Sequence, residues 1–282
     1  MPMHTRKSIL DHWEKLLLQS GIDSPRLSAQ VLLASVLGIS RLDMLLEGGV
    51  PVDESCRLRM NELGSRRMEG EPVAYIVGEK EFYGFAFQVG PEVLIPRPET
   101  ELILDRLVES HNRNACLSVV DIGTGSGALA VSCAKLFPNF RLVAVDISPG
   151  ALMVARKNAK LHGVEDRILF LQGDLLESLR SDSFDIVLAN LPYVPLATRE
   201  ALSREVLFHE PQIALFAGPD GLDCYRALAR SLRGGMKDGA LLLCEIDHSQ
   251  GAAMVELFKR IAKDVRIMKD YAGLDRVVVV VF

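Results

Sequence analysis

From Val119 to Gly127 the chain reads Val-Val-Asp-Ile-Gly-Thr-Gly-Ser-Gly, a short apolar run that passes directly into glycines at alternate positions. An apolar run of this length fits a buried strand, and glycines just beyond it allow a sharp turn with backbone brought close to a neighbour. A buried strand turning at once into a helix belongs to folds in which the two elements alternate. From Leu104 onward the sequence keeps to that rule. Strands are expected over 117–122, 141–146, 168–172, 185–190, 240–246, 265–269 and 276–282, with helical segments between them, the pattern of a doubly wound α/β sheet. The closing Val277-Val278-Val279-Val280-Val281 run reads as a strand covered on both faces.

Ahead of this region, residues 1–77 have helical periodicity and are expected to form a small bundle. Ile9, Trp13, Leu16 and Leu17 make one stripe; Leu27, Val31, Ala34 and Leu37 make the next, ended by Gly38. Residues 78–95 read as a β-hairpin linker, Phe82 to Val89 alternating and Gly90-Pro91 turning, and the α/β domain occupies 96–282. A chain of 282 residues, 49% hydrophobic, can bury cores for a large and a small domain. No apolar run approaches the roughly eighteen residues of a membrane span, and no signal-like core follows His4, Arg6 and Lys7, so a cytoplasmic protein is expected. A net charge of -5 argues against a duplex nucleic-acid partner. Arg57, Arg59, Arg66 and Arg67 are expected on a solvated helix face. Cys56, Cys116, Cys133, Cys224 and Cys244 lack Cys-x-x-Cys spacing and the six histidines do not cluster with them, so buried thiols and no metal are expected.

The glycine loop, Gly123, Thr124, Gly125, Ser126 and Gly127, is a candidate cofactor cradle in which bare backbone N–H groups meet a ligand. Ala128 stands where the last glycine of Gly-x-Gly-x-x-Gly would fall. Asp146 ends the next strand about twenty residues on, where a carboxylate can grip ribose hydroxyls, or alternatively cap the helix that Ser148-Pro149 begins. A second strand, Phe184-Asp185-Ile186-Val187-Leu188-Ala189, ends in Asn190-Leu191-Pro192-Tyr193. An amide or exocyclic amine nitrogen is a poor nucleophile, and holding both of its N–H groups needs two acceptors close together. Asn190 offers a side-chain carbonyl, and Leu191 a backbone carbonyl held extended by the following proline. Pro192 stiffens the turn and Tyr193 is a flat wall for a planar group.

These motifs, together with Pro72-Val73-Ala74-Tyr75-Ile76-Val77-Gly78, Glu81-Phe82-Tyr83-Gly84, Leu94-Ile95-Pro96-Arg97-Pro98-Glu99-Thr100-Glu101, Glu210-Pro211 and Gly218-Pro219-Asp220-Gly221-Leu222, resemble the release factor glutamine methyltransferases (protein-(glutamine-N5) methyltransferases of the PrmC/HemK family) over nearly the whole chain. The resemblance implies a seven-stranded S-adenosyl-L-methionine-dependent, Rossmann-like methyltransferase domain. It implies transfer to the glutamine of a Gly-Gly-Gln motif in class 1 peptide-chain release factors, docked by the helical region of an enzyme expected to act as a monomer. Asn190, Leu191, Pro192 and Tyr193 would be catalytic and hold substrate, while the glycine loop, Asp146, Asp174, Leu175, Asn190 and Thr100 would hold the cofactor. Asp174 is placed near the adenine amine, with Leu175 on the ring, and a helix cap is the other reading of Asp174. Arg97, Glu99 and Thr100 are placed at the methionine end, Thr100 also reading as the cap of a helix from Glu101. Glu210 and Glu245 could shape the acceptor pocket, although a carboxylate at a strand end is more often an ordinary surface or capping group. The family pattern has proline where this chain has Leu191, and since position 191 contributes a backbone carbonyl, its side chain is expected to matter little to chemistry. A nucleic-acid adenine methyltransferase would use the same clamp but should show a basic groove, and a nicotinamide oxidoreductase or non-catalytic nucleotide-binding module would leave the clamp unexplained.

Overall fold

A computed structural model describes residues 4–177, 179–233 and 235–282. The chain divides into two compact units, one running to Glu79 and including Ser203–His209, the other made of Lys80–Leu202 and Glu210–Phe282.

The first unit holds α1 (Arg6–Gln19), α2 (Pro25–Leu37), α3 (Arg41–Leu46), α4 (Glu54–Met68) and α5 (Val73–Val77). Ile9, Leu10, Trp13 and Leu17 of α1 pack with Ala29, Leu32 and Leu33 of α2 and Met60 and Leu63 of α4. Gly64 admits the Trp13 ring, since a Cβ there would lie 2.3 Å from it. Gly38 ends α2 in the left-handed region, as expected. The buried face of α2 shares part of the expected stripe, Ala34 being buried and Leu37 packing on the cluster, but Leu27 is exposed and Ser28, Ala29, Leu32 and Leu33 are buried. Arg67 is 4% exposed and donates through Nε to Ser28 Oγ at 3.3 Å, through Nη1 to the Glu71 carbonyl at 2.7 Å and through Nη2 to Glu205 Oε2 at 2.6 Å. Arg67 is therefore not on a solvated face, whereas Arg57, Arg59 and Arg66 pair with Glu54, Glu62 and Glu71.

In the second unit, β1 (Glu79–Phe82) and β2 (Phe85–Gln88) form a hairpin. Its turn lies at Tyr83-Gly84, both with positive φ, and the expected Gly90-Pro91 turn follows β2, Val93 N donating to the Gly90 carbonyl at 3.1 Å. The hairpin is tied down by α6 (Glu101–Ser110), whose Glu101 accepts from Tyr83 N at 2.8 Å and whose Asp105 accepts from the Tyr83 hydroxyl at 2.9 Å. There follow β3 (Ser118–Ile122), α7 (Ala128–Leu136), β4 (Arg141–Asp146), α8 (Pro149–Leu161), β5 (Ile168–Gln172), β6 (Ile186–Ala189), α9 (Arg204–His209, grouped with the first unit), α10 (Asp223–Leu232), β7 (Leu241–Glu245), α11 (Gly251–Phe258), β8 (Asp264–Lys269) and β9 (Asp275–Val281).

The seven strands order as β5-β4-β3-β6-β7-β9-β8, with β9 antiparallel to both neighbours and β3 to β7 parallel. Each central strand is apolar on both faces because each face is covered. Val119, Ile186, Leu188, Val277 and Val279 pack with α6, α7 and α8; Val120, Val187, Ala189, Val278 and Val280 pack with α10 and α11. This is the expected doubly wound sheet, and all seven strands fall within a residue of their expected ends. The chain order reverses between β3 and β6, so their carboxyl ends open onto one crevice. Ile122 lies beside Ala189, which sets the glycine loop next to Asn190. Of the cysteines, Cys133 and Cys244 are buried as expected, while Cys116 is exposed. Among the described residues no helix is long and apolar enough to cross a membrane.

Candidate functional site

The crevice at the strand reversal is a cleft lined by Thr100, Gly123, Thr124, Ser126, Asp146, Asp174, Leu175, Asn190, Leu191 and Pro192, so ten of the expected site residues converge there. Gly125, Gly127 and Tyr193 are not among its lining residues.

Four of the five N–H groups of the glycine loop are engaged within the protein. Gly123 N and Thr124 N both donate to the Val145 carbonyl, at 2.8 and 3.0 Å, Gly125 N donates to Asp146 Oδ2 at 2.9 Å, and Gly127 N to the Thr124 carbonyl at 2.8 Å. The glycines are needed for shape. All three have positive φ, and a Cβ on Gly127 would sit 3.1 Å from the Ala155 Cβ of α8, so this glycine lets α7 and α8 close together. Asn158 of α8 reinforces the arrangement. Its amide donates to the Ser126 carbonyl at 2.8 Å and to the Gln88 carbonyl at 2.9 Å, and its oxygen accepts from Gln88 N at 2.7 Å.

Asp146 holds the loop with one oxygen and the start of α8 with the other, which accepts from Ser148 N at 2.9 Å. The cap of α8 is Ser148, not Asp146, and the aspartate lines the cleft. Burial raises its carboxyl above the ordinary range, against the pull of Ser148 and Gly125 N–H groups. Asp174 caps no helix either: the segment after it is a turn, and Leu175 sits at φ 48, a conformation that a bulky side chain adopts only where its surroundings impose it.

Asp121 has a role that sequence reasoning did not assign. It is 1% exposed, accepts from the Thr124 hydroxyl at 2.6 Å and from Ala130 N at 3.1 Å, and burial raises it to about 7. The unfolded chain would release this proton near 3.8, so the folded state holds a proton that the unfolded state has lost between about pH 4 and 7. The group's contribution to stability is therefore fully present below about pH 4 and lost as pH rises through about 7. Asp121→Asn, neutral throughout, should gain stability relative to the parent between about pH 5 and pH 8 in urea titrations; parallel profiles would contradict this.

On the other wall, Asn190 donates through Nδ2 to Thr100 Oγ1 at 2.9 Å, the Thr100 hydroxyl donates to Glu245 Oε2 at 2.5 Å, and Tyr193 donates its hydroxyl to Glu245 Oε1 at 3.0 Å. Thr100 makes no side-chain cap to α6. Its hydrogen is committed to the carboxylate, so it can only accept from Asn190, which turns the Asn190 NH2 inward and leaves Oδ1 as the free end. Glu245, 1% exposed at the end of β7, is no surface carboxylate. Burial raises its carboxyl, opposed by the Thr100 and Tyr193 hydrogen bonds and the charge of Arg276. Burial, then the Glu245 charge, raises the Tyr193 phenol, which stays a donor. Glu210, 4% exposed, is likewise internal. It accepts from Ile95 N at 3.2 Å and from Arg97 Nη2 at 2.5 Å, joining the two segments that supply Pro96 and Pro211 to the cleft.

Behind the turn, the Tyr193 carbonyl accepts from Gln250 Nε2 at 2.9 Å, and Val194 pairs with 215–217. A Cβ on Gly221 would lie 2.0 Å from the Tyr193 oxygen, which explains the glycine in Gly218-Pro219-Asp220-Gly221. Leu191 has a packing role beside its backbone carbonyl. Its side chain is 3% exposed and its Cδ2 lies 3.0 Å from where a Cβ on Gly123 would be. Leu191→Pro is expected to keep turnover within about tenfold, because Pro192 still restrains the carbonyl. The same change should lower the unfolding midpoint by removing buried packing. Paired rate and denaturation measurements check this, and a hundredfold rise in turnover would overturn it.

The cleft lining contains Glu92, Asp121, Asp146 and Asp174 and no Lys, Arg or His. This acidic wall suits a ligand bearing positive charge.

A PrmC N-terminal domain family matches residues 8–78, and a methyltransferase domain family matches 114–277. In solved structures the fold is similar to a methyltransferase from Pyrococcus furiosus, with TM-score 0.53, 15% identity and coverage of 79% of this chain and 98% of that one. It is also similar to the hMettl16 catalytic domain, with TM-score 0.57, 15% identity and coverage of 83% and 84%. The chain is 40% identical over 276 residues to a release factor glutamine methyltransferase of Nitratidesulfovibrio vulgaris, covering 96% of this chain and 93% of the relative. It is 41% identical over 269 residues to one of Chlorobaculum tepidum, covering 90% of each. A methyltransferase sheet, a cleft at its strand reversal and relatives matched along nearly their entire lengths agree, and the protein belongs to the release factor glutamine methyltransferase family.

Proposed function

We propose that this methyltransferase uses S-adenosyl-L-methionine to methylate the side-chain amide nitrogen of a glutamine, in the Gly-Gly-Gln motif of class 1 peptide-chain release factors, and so acts on translation termination in the cytoplasm. The observation that carries this reading is the hydrogen bonding of Asn190, a cleft-lining residue whose Nδ2 donates to Thr100, which leaves Oδ1 as the acceptor end of its amide. A primary amide has two N–H groups to give, and Asn190 Oδ1 with the Leu191 carbonyl supplies two acceptors at adjacent positions. The names of the relatives support the same substrate. The helical unit is assigned to docking the release factor, and since one copy of the chain contains every residue named, a monomer suffices.

The cleft fits the cofactor. Asp146 would hold the ribose hydroxyls, Asp174 the adenine amine and Leu175 the ring face, while acidic walls without a basic residue favour a cation. When bound, the cofactor supplies an electrophilic methyl group on a positively charged sulfur. The chain's residues then act by position: Asn190 and the Leu191 carbonyl hold the two N–H groups and so aim the nitrogen, and Tyr193, fixed by Glu245, backs the planar amide. No strong base is required, because the amide nitrogen becomes very acidic on methylation and its proton passes to water.

Incubation with labelled S-adenosyl-L-methionine and, in parallel, purified release factor, free glutamine or duplex DNA tests the substrate class. Label should enter the release factor, because contacts remote from the reacting nitrogen help to position it. Efficient labelling of DNA would replace this reading with an adenine methyltransferase.

A further inference from the structure

An asparagine amide can present either end, and a clamp that offered NH2 instead of Oδ1 would receive a carboxylate in place of an amide. What prevents that half-turn lies behind the clamp. Thr100 and Glu245 are both buried, at 4% and 1% exposure, and Glu245 accepts a hydroxyl hydrogen on each oxygen, from Thr100 and from Tyr193. A carboxylate with both oxygens accepting can only draw the Thr100 hydrogen toward itself. The Thr100 oxygen then faces Asn190 with lone pairs alone, and only the Nδ2 end of the amide satisfies it, at 2.9 Å. The β7 end and the α6 start thus dictate a polarity at the β6 end, although neither Glu245 nor the Tyr193 hydroxyl has to touch the acceptor.

We propose that Thr100 and Glu245 are positioning residues that set the hydrogen-bonding polarity of Asn190, so that the site accepts a primary amide and rejects the corresponding carboxylate. The proposal rests on the glutamine reading of the reaction and adds its specificity device. Glutamine and glutamate are nearly equal in size, so shape alone separates them poorly. Two acceptors facing a carboxylate, in contrast, leave all four oxygens without donors, the arrangement that gives the largest discrimination.

The test uses the full chain and two release factors, one native and one carrying glutamate in place of the acceptor glutamine. Thr100→Val keeps the shape and removes the acceptor for Nδ2. It is expected to lower kcat by about tenfold or more, with KM for the release factor changed by less than about threefold, since a network behind the clamp affects orientation and not docking. Inhibition by the glutamate form, measured against native affinity, should strengthen by about tenfold as Asn190 becomes free to turn. Thr100→Ser restores the hydroxyl and should return both readouts to the parent's. The amide introduced by Glu245→Gln can turn either end toward Thr100, so its discrimination should fall between those of the parent and Thr100→Val, which keeps the proposal testable if the valine variant unfolds. If the parent labels the native release factor while Thr100→Val and Glu245→Gln discriminate as it does, the polarity relay is wrong and the reaction stands. If the parent labels no release factor, the reading of the reaction fails, and this proposal with it.

Discussion

Asn190→Ala is expected to lower turnover by at least about a hundredfold, roughly 3 kcal/mol on the barrier, while S-adenosyl-L-methionine affinity stays within about threefold and the unfolding midpoint changes little. The change removes the Oδ1 that would accept from the amide, so one N–H of the acceptor loses its partner and the nitrogen lone pair is no longer aimed. The damage should stay local. Thr100 and Tyr193 still donate to the two oxygens of Glu245, so no buried carboxylate is orphaned, and Thr100 loses only an incoming hydrogen bond. Steady-state kinetics with the release factor, alongside calorimetric titration of the cofactor, separates the two effects. Full turnover in the alanine variant would remove the clamp from the mechanism.

Asp146→Ala is expected to weaken cofactor binding by about 1.5–3 kcal/mol, the range for hydrogen bonds to a charged group. Two causes add. The ribose hydroxyls would lose a carboxylate acceptor, and the cleft would lose an acidic group that suits a cation. Asp146 also anchors Gly125 N and Ser148 N, so the variant should melt earlier, and Asp146→Asn, which keeps an oxygen for one of them, should recover more of the stability than of the affinity. Unchanged affinity by calorimetry would leave Asp146 as a purely structural tie between the glycine loop and α8.

Much of this architecture was legible because strand and helix periods differ and the strand ends carry polar residues. β4 and β5 agree with their expected bounds residue for residue, since apolar runs flanked by turn residues leave little choice of register. Asn190 and Asp146 stood out as polar residues at the ends of buried strands. What was not legible depends on contacts far apart in sequence. Glu245 looks like an ordinary carboxylate until β7 places it against Thr100, 145 residues earlier, and Asn158 looks like a helix-surface residue until α8 meets the hairpin. The inward position of Ser28 on α2, where hydropathy favours Leu27, likewise involves a distant partner, Arg67. The grouping of Ser203–His209 with the helical unit carries no local signal either; Glu205 in that segment pairs with Arg67 across 138 residues. The glycine spacing points to a tight turn, but which of its N–H groups tie the loop to Val145, Asp146 and Thr124 is a distinction that spacing cannot make.

The central claim is that Asn190 presents an acceptor to a primary amide, and the most direct measurement is the position of the transferred methyl group. Purified release factor is labelled with the parent protein and isotopically marked S-adenosyl-L-methionine, digested, and sequenced by tandem mass spectrometry. The account predicts a single methyl group on the side-chain nitrogen of the Gly-Gly-Gln glutamine, absent with Asn190→Ala. Methylation at a lysine, at a carboxylate or at a chain terminus, undiminished by that substitution, would contradict it.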